Sequence, residues 1–578
     1  MAAGPDIGGY RRKGFALSDV ESQATAQSDH GSAGLLAPLQ QSPSYRLMWM
    51  TGLLANLGQL IQNVGAAWEM TRLTGSAEMV ALVQSAAMLP LMLVALPAGA
   101  IADMFDRRKV AIAGLSFAGL SAALLTLAAL FEITSPALLL GSCFLIGSGV
   151  ALYGPAWQSS VREQVSAAHL PAAIALNSIS FNVARSVGPA IGGILLASLG
   201  AAAAFGANAL LYLPLILALL AWRRIPVPSR LPGEHIGRAI VSGVRYVFHS
   251  PPIRIVLART FLSGVAGASI AALLPFVARD LIGGGALIYG LLLGCYGVGA
   301  IGGAMCIHQL RTHFRPEAGV RGCMLIASLM ALVVASSRLL PLTCLALAIF
   351  GAVWMLIASL FNVGVQLSAP RWVAARAVSC YTCAITGGIA LGSWAWGYVA
   401  AHAGTGPALY GSAAAIALVS ILGTIIPMPR IDGPVIEREG SLNLPEISLA
   451  LTHRSGPIVI EVDYRVRKED AREFYNAMRD VRRGRLRSGG FEWSLSRDIS
   501  DPERWTERYH CPTWGDYLRQ RDRLTAADVQ AHEHAQSFNI EGERRQNIRR
   551  MLERPFGSVR YRADTPDPLL DSVEIYTP

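Results

Sequence analysis

Charged residues are scarce in this chain of 578 residues: 15% are Asp, Glu, Lys or Arg, whereas 52% are apolar. Because a soluble globular protein carries about 25% charged residues, a water-soluble fold is excluded for most of the chain. Acidic residues are especially few in residues 1–430, which hold 13 acidic and 25 basic residues, against 26 and 24 in residues 431–578. The positive excess therefore flanks apolar runs, which is typical of a membrane protein and argues against a nucleic-acid partner.

Two further absences narrow the function. Residues 1–45 lack the apolar run that a cleavable signal peptide requires, and their Gly, Ser, Gln and Ala content predicts a disordered arm. The tail contains no nucleophile–base set and no phosphate-binding loop, and seven of the eight cysteines lie in apolar runs, where cysteine packs as a small hydrophobe. We therefore expect no cofactor, no metal and no disulfide framework.

Long apolar runs fill the middle of the chain. A run of about 20 residues, rising 1.5 Å per residue, crosses the ~30 Å hydrocarbon layer of a membrane. We therefore predict twelve spanning helices, at residues 47–69, 78–101, 110–131, 137–158, 173–199, 203–222, 255–278, 286–307, 320–337, 341–364, 377–401 and 407–427.

Positive charge in the loops predicts the orientation of these helices. Fifteen Arg and Lys residues follow the even-numbered runs from the second to the tenth, whereas the opposite loops hold only Arg72, Arg279 and Arg338. Because cytoplasmic loops carry the excess of Arg and Lys, we expect both termini in the cytoplasm.

The longest internal break, residues 223–254, divides the runs into six and six. Apolar residues recur there at spacings of three and four from Ile236 to Phe248, which predicts an amphipathic helix on the inner membrane surface. An ordinary cytoplasmic linker helix is the alternative. Short sequences also repeat between the halves, since Gln164-Val-Ser-Ala recurs as Gln366-Leu-Ser-Ala. A six-plus-six repeat of this kind resembles the two halves of a major-facilitator transporter.

The loop after the second run carries a candidate gating motif. Gly99 allows two helices to approach closely, Asp103 can pair across the cytoplasmic mouth, and Arg107 and Arg108 anchor the turn. A charged stop-transfer turn would explain the two arginines but not Gly99 and Asp103 at this spacing. The run resembles the loop 2–3 motif of major-facilitator transporters.

The fifth run carries a second motif, formed by Gly188, Pro189, Gly192 and Gly193. Small residues allow a neighbouring helix to pack closely, and Pro189 frees a carbonyl and permits a bend. The motif resembles the helix-5 motif of exporting major-facilitator branches. Glycine-rich packing without directional meaning is the alternative.

Polar residues within the runs are candidates for binding substrate or a coupling ion. A guanidinium near mid-span costs at least about 2.5 kcal/mol on insertion, so we expect Arg185 to face a water-filled cavity or a partner. For the amides, hydrogen bonding between helices is an equally open explanation. The candidates are Asn56, Gln59, Gln62, Asn63, Glu69, Asn177, Asn182, Arg185 and Asn362.

Several motifs in order give the chain a family resemblance. Gln62-Asn63-Val64, Leu73-Thr74-Gly75-Ser76, the Asp103 loop and the helix-5 motif together resemble the transmembrane secretion effector family. This bacterial major-facilitator branch includes relatives of the enterobactin exporter. The resemblance implies a transporter of the inner membrane that exports a small molecule, such as a siderophore, an antibiotic or another metabolite, by proton antiport. An importer or symporter on the same scaffold is the alternative, and a membrane-tethered enzyme is the third hypothesis.

The polar tail predicts a soluble domain. From Ile458, strands and helices alternate in the order βαββαβ, with a last strand expected at residues 559–561, which predicts a ferredoxin-like sheet. The tail resembles small domains of the antibiotic-biosynthesis-monooxygenase type. Its aromatic residues, among them Trp493, Trp505 and Trp514, form either the core of a docking or dimerising module or a ligand pocket.

The sequence as a whole predicts an all-α membrane protein of the twelve-helix major-facilitator fold with a small α+β domain behind it. The expected parts are a disordered cytoplasmic arm, a six-helix bundle, a cytoplasmic linker, a second six-helix bundle, a second linker, the ferredoxin-like domain and a tail. Their predicted bounds are 1–45, 46–222, 223–254, 255–430, 431–457, 458–565 and 566–578.

Overall fold

The computed structural model of the chain describes residues 36–166, 169–222, 236–429, 447–449, 451–522, 525–540 and 547–553. Most of the predicted arm and of the second linker lies outside these residues, as does all of the predicted tail.

Among the described residues up to 429, all regular secondary structure is helical. The first half contains α1 (Ala37–Gln41), α2 (Pro43–Thr74), α3 (Ala77–Met104), α4 (Arg107–Leu130), α5 (Pro136–Gln164) and α6 (Leu170–Ala221). After the linker helix α7 (Ile236–His249), the second half contains α8 (Pro251–Phe276, extended by a π-turn over Val277–Leu281), α9 (Ala286–His313), α10 (Pro316–Ser336), α11 (Leu340–Ser368), α12 (Arg371–Ala403) and α13 (Thr405–Ile425).

Helix α6 consists of two helices that meet at Gly200. The φ angle of Gly200 is 79° and its ψ is −177°, a conformation that only glycine adopts readily. The segments before and after Gly200, here α6a and α6b, are therefore separate spans.

Twelve helices of the described residues are long enough to cross a membrane. Nine helices among these residues have both the length and the apolar composition for a span. One of the nine is the 43-residue run that Gly200 divides, which counts as two spans and brings the number to ten. The remaining two are α2, with 32 residues, and α12, with 33, both of which carry more polar side chains. The predicted twelve-helix membrane fold is confirmed.

The two halves meet along two pairs of helices, in which α3 packs against α12 and α6 against α9. Within a half, glycines bring helices close together. A Cβ on Gly299 of α9 would lie 1.8 Å from the Ala348 carbonyl oxygen of α11, and one on Gly303 would lie 2.2 Å from that of Ala352. Backbone contact of this kind replaces the hydrophobic driving force that lipid cannot supply between helices.

The C-terminal region is a four-stranded antiparallel sheet with helices packed on it. Its strands are β1 (Ile458–Arg465), β2 (Phe491–Arg497), β3 (Arg504–Cys511) and β4 (Ile548–Leu552), and its helices are α14 (Ala471–Arg487), α15 (Trp514–Asp522) and α16 (Ala526–Gln536). The strand order β2-β3-β1-β4 is the ferredoxin-like order. Because strand side chains alternate between faces, β1 presents Ile460, Val462 and Tyr464 to Phe474 and Met478 of α14.

One strand of the sheet was not predicted. β4 pairs with β1 at Ile458↔Leu552 and Val462↔Ile548, whereas the strand expected at residues 559–561 lies outside the described residues. The sequence Ile-Arg-Arg-Met-Leu of β4 lies at the sheet edge and is mostly exposed. An exposed edge strand needs no apolar alternation, which is why the pattern missed it.

A buried ion pair lies in the core of this domain. The Glu507 carboxylate is fully buried and accepts hydrogen bonds from Arg485 Nε at 3.1 Å, Trp493 Nε1 at 3.0 Å and the Tyr464 hydroxyl at 3.1 Å. Burial works to raise the pKa of this carboxyl, but the Arg485 guanidinium and the hydrogen bonds from Arg485 and Trp493 hold the pKa below its usual value. Glu507 is therefore charged in the folded domain.

Helix α7 lies between the membrane helices and the C-terminal domain. On one side, Gly243 of α7 packs against the Arg376 side chain at the start of α12. On the other, Arg245 Nη1 donates to the Gly489 carbonyl at 3.2 Å, and the Arg487 guanidinium lies 5.3 Å from the Tyr246 ring centroid. We call this end of the bundle the linker end.

Candidate functional site

A cavity of about 330 Å³ lies between the two halves. Its wall comes from α2, α3, α5 and α6a of the first half and from α8, α9, α11 and α12 of the second. Most of the lining side chains are apolar. Among the described lining residues, Arg185 is the one charged side chain, and Asn63 and Gln84 are the amides.

Arg185 faces a neutral partner across the cavity. Its Nη2 atom donates to the Tyr296 hydroxyl at 3.0 Å, and its Cζ atom lies 5.1 Å from the centroid of the same ring. Arg185 forms no salt bridge with any residue that the structure describes. The guanidinium is therefore held in place by a hydroxyl and a ring face, and no carboxylate among the described residues neutralises its charge.

Aromatic rings continue from Arg185 along the wall of the second half. The Tyr296 and Phe350 centroids are 6.2 Å apart, and Phe350 and Trp354 are stacked at 5.7 Å with an interplanar angle of 11°. Trp354 lies against Gly267, where a Cβ would be 2.2 Å from the indole ring. Gly267 thus leaves the space that the indole occupies.

The other predicted polar candidates lie in several environments. Asn63 lines the cavity together with Arg185, while Asn56 and Asn182 are half-buried elsewhere on their helices. Five further candidates form hydrogen bonds on their own or neighbouring helices: Gln59 with Tyr212 at 2.7 Å, Gln62 with Asn208 at 3.3 Å, Glu69 with Arg72 at 2.6 Å, Asn177 with Tyr45 at 3.2 Å, and Asn362 with Gln366.

The candidate gating motif lies at the linker end. For Gly99 and Asp103, in the last turns of α3, the structure describes the backbone alone. Arg107 Nη1 pairs with Glu163 Oε1 on α5 at 3.0 Å. Arg108 Nε and Nη2 donate to the Leu219 and Leu220 carbonyls at 2.7 and 2.5 Å, which caps the end of α6b.

The helix-5 motif makes two different contacts. A Cβ on Gly188 would lie 2.9 Å from Leu60 Cβ, and one on Gly192 would lie 3.2 Å from Ile61 Cα, so both face α2 of the same half. A Cβ on Gly193 would lie 2.9 Å from Gly290 Cα on α9, in the other half. Pro189 lines the cavity. The motif therefore packs α6a against α2 of its own half and against α9 of the other half.

An ion pair that the sequence analysis missed lies at the linker end of the second half. The Arg259 guanidinium is buried on α8 and bonds to Glu317 at the start of α10, while Glu317 Oε2 also accepts from the Met428 amide at 2.8 Å. The pair therefore ties the chain that follows α13 to two other helices. Arg259 lies within the predicted span 255–278 but near its start, where the insertion cost of an arginine is smaller than at mid-span, so the cost that singles out Arg185 did not single out Arg259.

The comparisons with known proteins agree with this architecture. A family model described as "Transmembrane secretion effector" matches residues 33–556. The chain belongs to the transmembrane secretion effector family. As a member of this major-facilitator family it is a transporter and not an enzyme. It lies in a lipid bilayer and acts on a small-molecule substrate.

Curated relatives and solved structures resemble this chain at low sequence identity. The multidrug efflux pump Tap of Mycolicibacterium fortuitum is 27% identical over 57% of this chain and 83% of its own. The staphyloferrin A transporter of Staphylococcus aureus is 25% identical over 42% of this chain and 62% of its own. A solved bacterial homologue of the human lysosomal transporter Spinster shares the fold, with a TM-score of 0.52 and 14% identity over 68% of this chain and 96% of that chain. The nucleoside transporter NupG also shares it, with a TM-score of 0.55 and 12% identity over 67% of this chain and 100% of that chain.

Proposed function

We propose that this transporter exports a small molecule from the cytoplasm by proton antiport, with the cavity between its halves as the transport site. The observation that carries the proposal is the cavity itself, which brings an intramembrane arginine, two amides and an aromatic wall together from both halves. The name of the relative from M. fortuitum, an efflux pump, supports export. The predicted gating residues Gly99, Asp103, Arg107 and Arg108 would close the cytoplasmic mouth.

The proposed orientation places both termini and the linker end in the cytoplasm of a bacterial cell, with the bundle in the inner membrane. The excess of Arg and Lys in the loops at this end supports it. For the coupling proton, the described lining of the cavity offers no carboxylate. Glu69 and Glu317, each paired with an arginine, are the carboxylates that we propose for proton transfer.

Asp103→Asn is expected to block export while leaving the protein in the membrane. Cells with wild-type protein, no protein, or the variant are compared by mass spectrometry of small molecules inside the cells and in the medium. For an exporter, compounds that accumulate inside the deletion cells also accumulate with Asp103→Asn, and a proton uncoupler has the same effect on wild type. Depletion of those compounds in the deletion cells would instead indicate import.

Asp106→Asn is the matched control, because it removes a carboxylate from the same loop. The Asp106 side chain accepts the Arg108 amide at 2.9 Å as the N-cap of α4, and asparagine caps a helix about equally well. This variant should keep export near wild type. Normal export by a normally abundant Asp103→Asn protein would refute the gating role.

For the C-terminal domain we propose a docking role on α7, with dimerisation through the sheet as the second candidate. The contacts of Arg245 with Gly489 and of Arg487 with Tyr246 support docking. For dimerisation, the proposed surface is the sheet face away from the helices, which carries Glu461, Asp463 and Arg549. The likeness to monooxygenase-type domains stays a prediction.

Residues 455–565 expressed alone are expected to form a soluble domain that unfolds cooperatively, because the sheet and its helices bury a core of their own. Circular dichroism on heating tests folding, and sedimentation of the same sample tests dimerisation. A monomer would favour docking alone. An insoluble or unfolded product in several constructs would contradict the autonomy of the domain.

A further inference from the structure

We propose that the substrate is an anion with a flat apolar body, bound with its acidic group on Arg185 and its body along Tyr296, Phe350 and Trp354. This inference rests on the proposed function in taking the cavity as the transport site. It adds the chemical class of the molecule that the cavity accepts.

The charge of the site favours an anion. The Arg185 guanidinium lines a largely apolar cavity, and its described polar partner is the neutral Tyr296 hydroxyl at 3.0 Å. In such surroundings a charge is weakly screened, so an anion that approaches gains more than it would in water, and a cation is repelled. A guanidinium also offers two parallel N–H donors that match a carboxylate.

The shape of the site favours a flat apolar body. The aromatic wall begins at Arg185 with Tyr296 and ends with Trp354, and both of these rings are half-buried. Phe350 is buried between them and supports both rings, so Tyr296 and Trp354 offer the ring area that a ligand can contact. Offset stacking on such rings contributes beyond the burial of apolar area. The volume of about 330 Å³ is at the lower end of ligand pockets, which suits a molecule of two or three rings.

The amides complete the site from the other half. Asn63 of α2 and Gln84 of α3 line the cavity, and both can donate and accept hydrogen bonds. They would orient polar substituents on the body without demanding a second charge. The fixed cation therefore selects the sign of the substrate charge, while the amides tolerate different polar substituents on the flat body.

Three probes of nearly equal size test the inference by calorimetric binding to the full chain in nanodiscs at pH 7: 2-naphthoate, 2-naphthamide and protonated 2-naphthylmethylamine. We expect 2-naphthoate to bind at least tenfold more tightly than the amide, and the ammonium to bind more weakly than both. Arg185→Gln should lower naphthoate affinity to that of the amide and leave amide affinity unchanged. Arg185→Lys should keep part of the preference, since it keeps the charge and loses the planar fork.

Two further variants separate charge from shape and from long-range effects. Gly267→Ala is expected to weaken all three probes alike, because the new Cβ displaces the Trp354 indole. Arg338→Gln removes the same charge from an exposed loop position and should change nothing. Equal binding of the three probes by wild type, no binding of naphthoate at millimolar concentration, or an anion preference that survives in Arg185→Gln would each overturn the inference. Binding is measured without a proton gradient, so the two proposals can fail separately. Export can be absent in cells although the chain prefers anions, and the chain can export a substrate although it shows no preference for anions.

Discussion

Gly193→Ala is expected to reduce transport at least tenfold without reducing the amount of protein in the membrane. The added Cβ would lie 2.9 Å from Gly290 Cα and 3.0 Å from the Ala286 carbonyl oxygen, both on α9 of the opposite half. These are backbone atoms that no rotamer change can move, and overpacking of this kind costs about 1–3 kcal/mol. The contact between α6a and α9 would open, and the conformation in which the two halves meet along these helices would be less populated.

Transport per molecule of protein is the first measurement, and the distance between spin labels on α6a and α9 is the second. Gly141→Ala on α5 is the matched control, because nothing lies within 4 Å of its Cβ position. Gly290→Ala should reproduce the defect, since it places a methyl group on the other side of the same contact. Wild-type transport by Gly193→Ala would show that the halves do not need this close contact.

Arg485→Met is expected to destabilise the C-terminal domain by about 3–5 kcal/mol, because it leaves the buried Glu507 carboxylate without its cation. Amide hydrogen exchange in the full chain measures the effect. Exchange from β1 and β3 should accelerate at least a hundredfold, since each 1.4 kcal/mol corresponds to about a factor of ten. Arg483→Met is the control on the same helix, because the exposed Arg483–Asp480 pair contributes at most about 1 kcal/mol.

The same pair gives the domain a definite pH dependence. Because the folded-state pKa of Glu507 lies below its usual value of 4.5, the stabilisation is present above that value and is lost as the pH falls through the lower folded-state pKa. Arg485→Met should therefore lose less stability on acidification than wild type. An unchanged exchange rate in this variant at pH 7 would contradict the structural role of the pair.

The sequence by itself determined the membrane fold. The thickness of the hydrocarbon layer sets the length of a span, and an apolar run of that length has no other stable environment. The number of spans, the six-plus-six division and the family therefore followed from runs, loop charges and motifs. The ferredoxin-like strand order also followed, except for the exposed edge strand β4.

The tertiary structure decided which side chains share the cavity. A helix surrounded by lipid and other helices is apolar on all sides, so its sequence carries little information about which face turns toward the centre. Of the nine polar candidates, Asn63 and Arg185 line the cavity, whereas Gln59, Gln62 and Asn177 are paired between helices. Gln84 and the aromatic wall came to light only through packing, because aromatic residues within an apolar run look alike until neighbouring helices fix their positions.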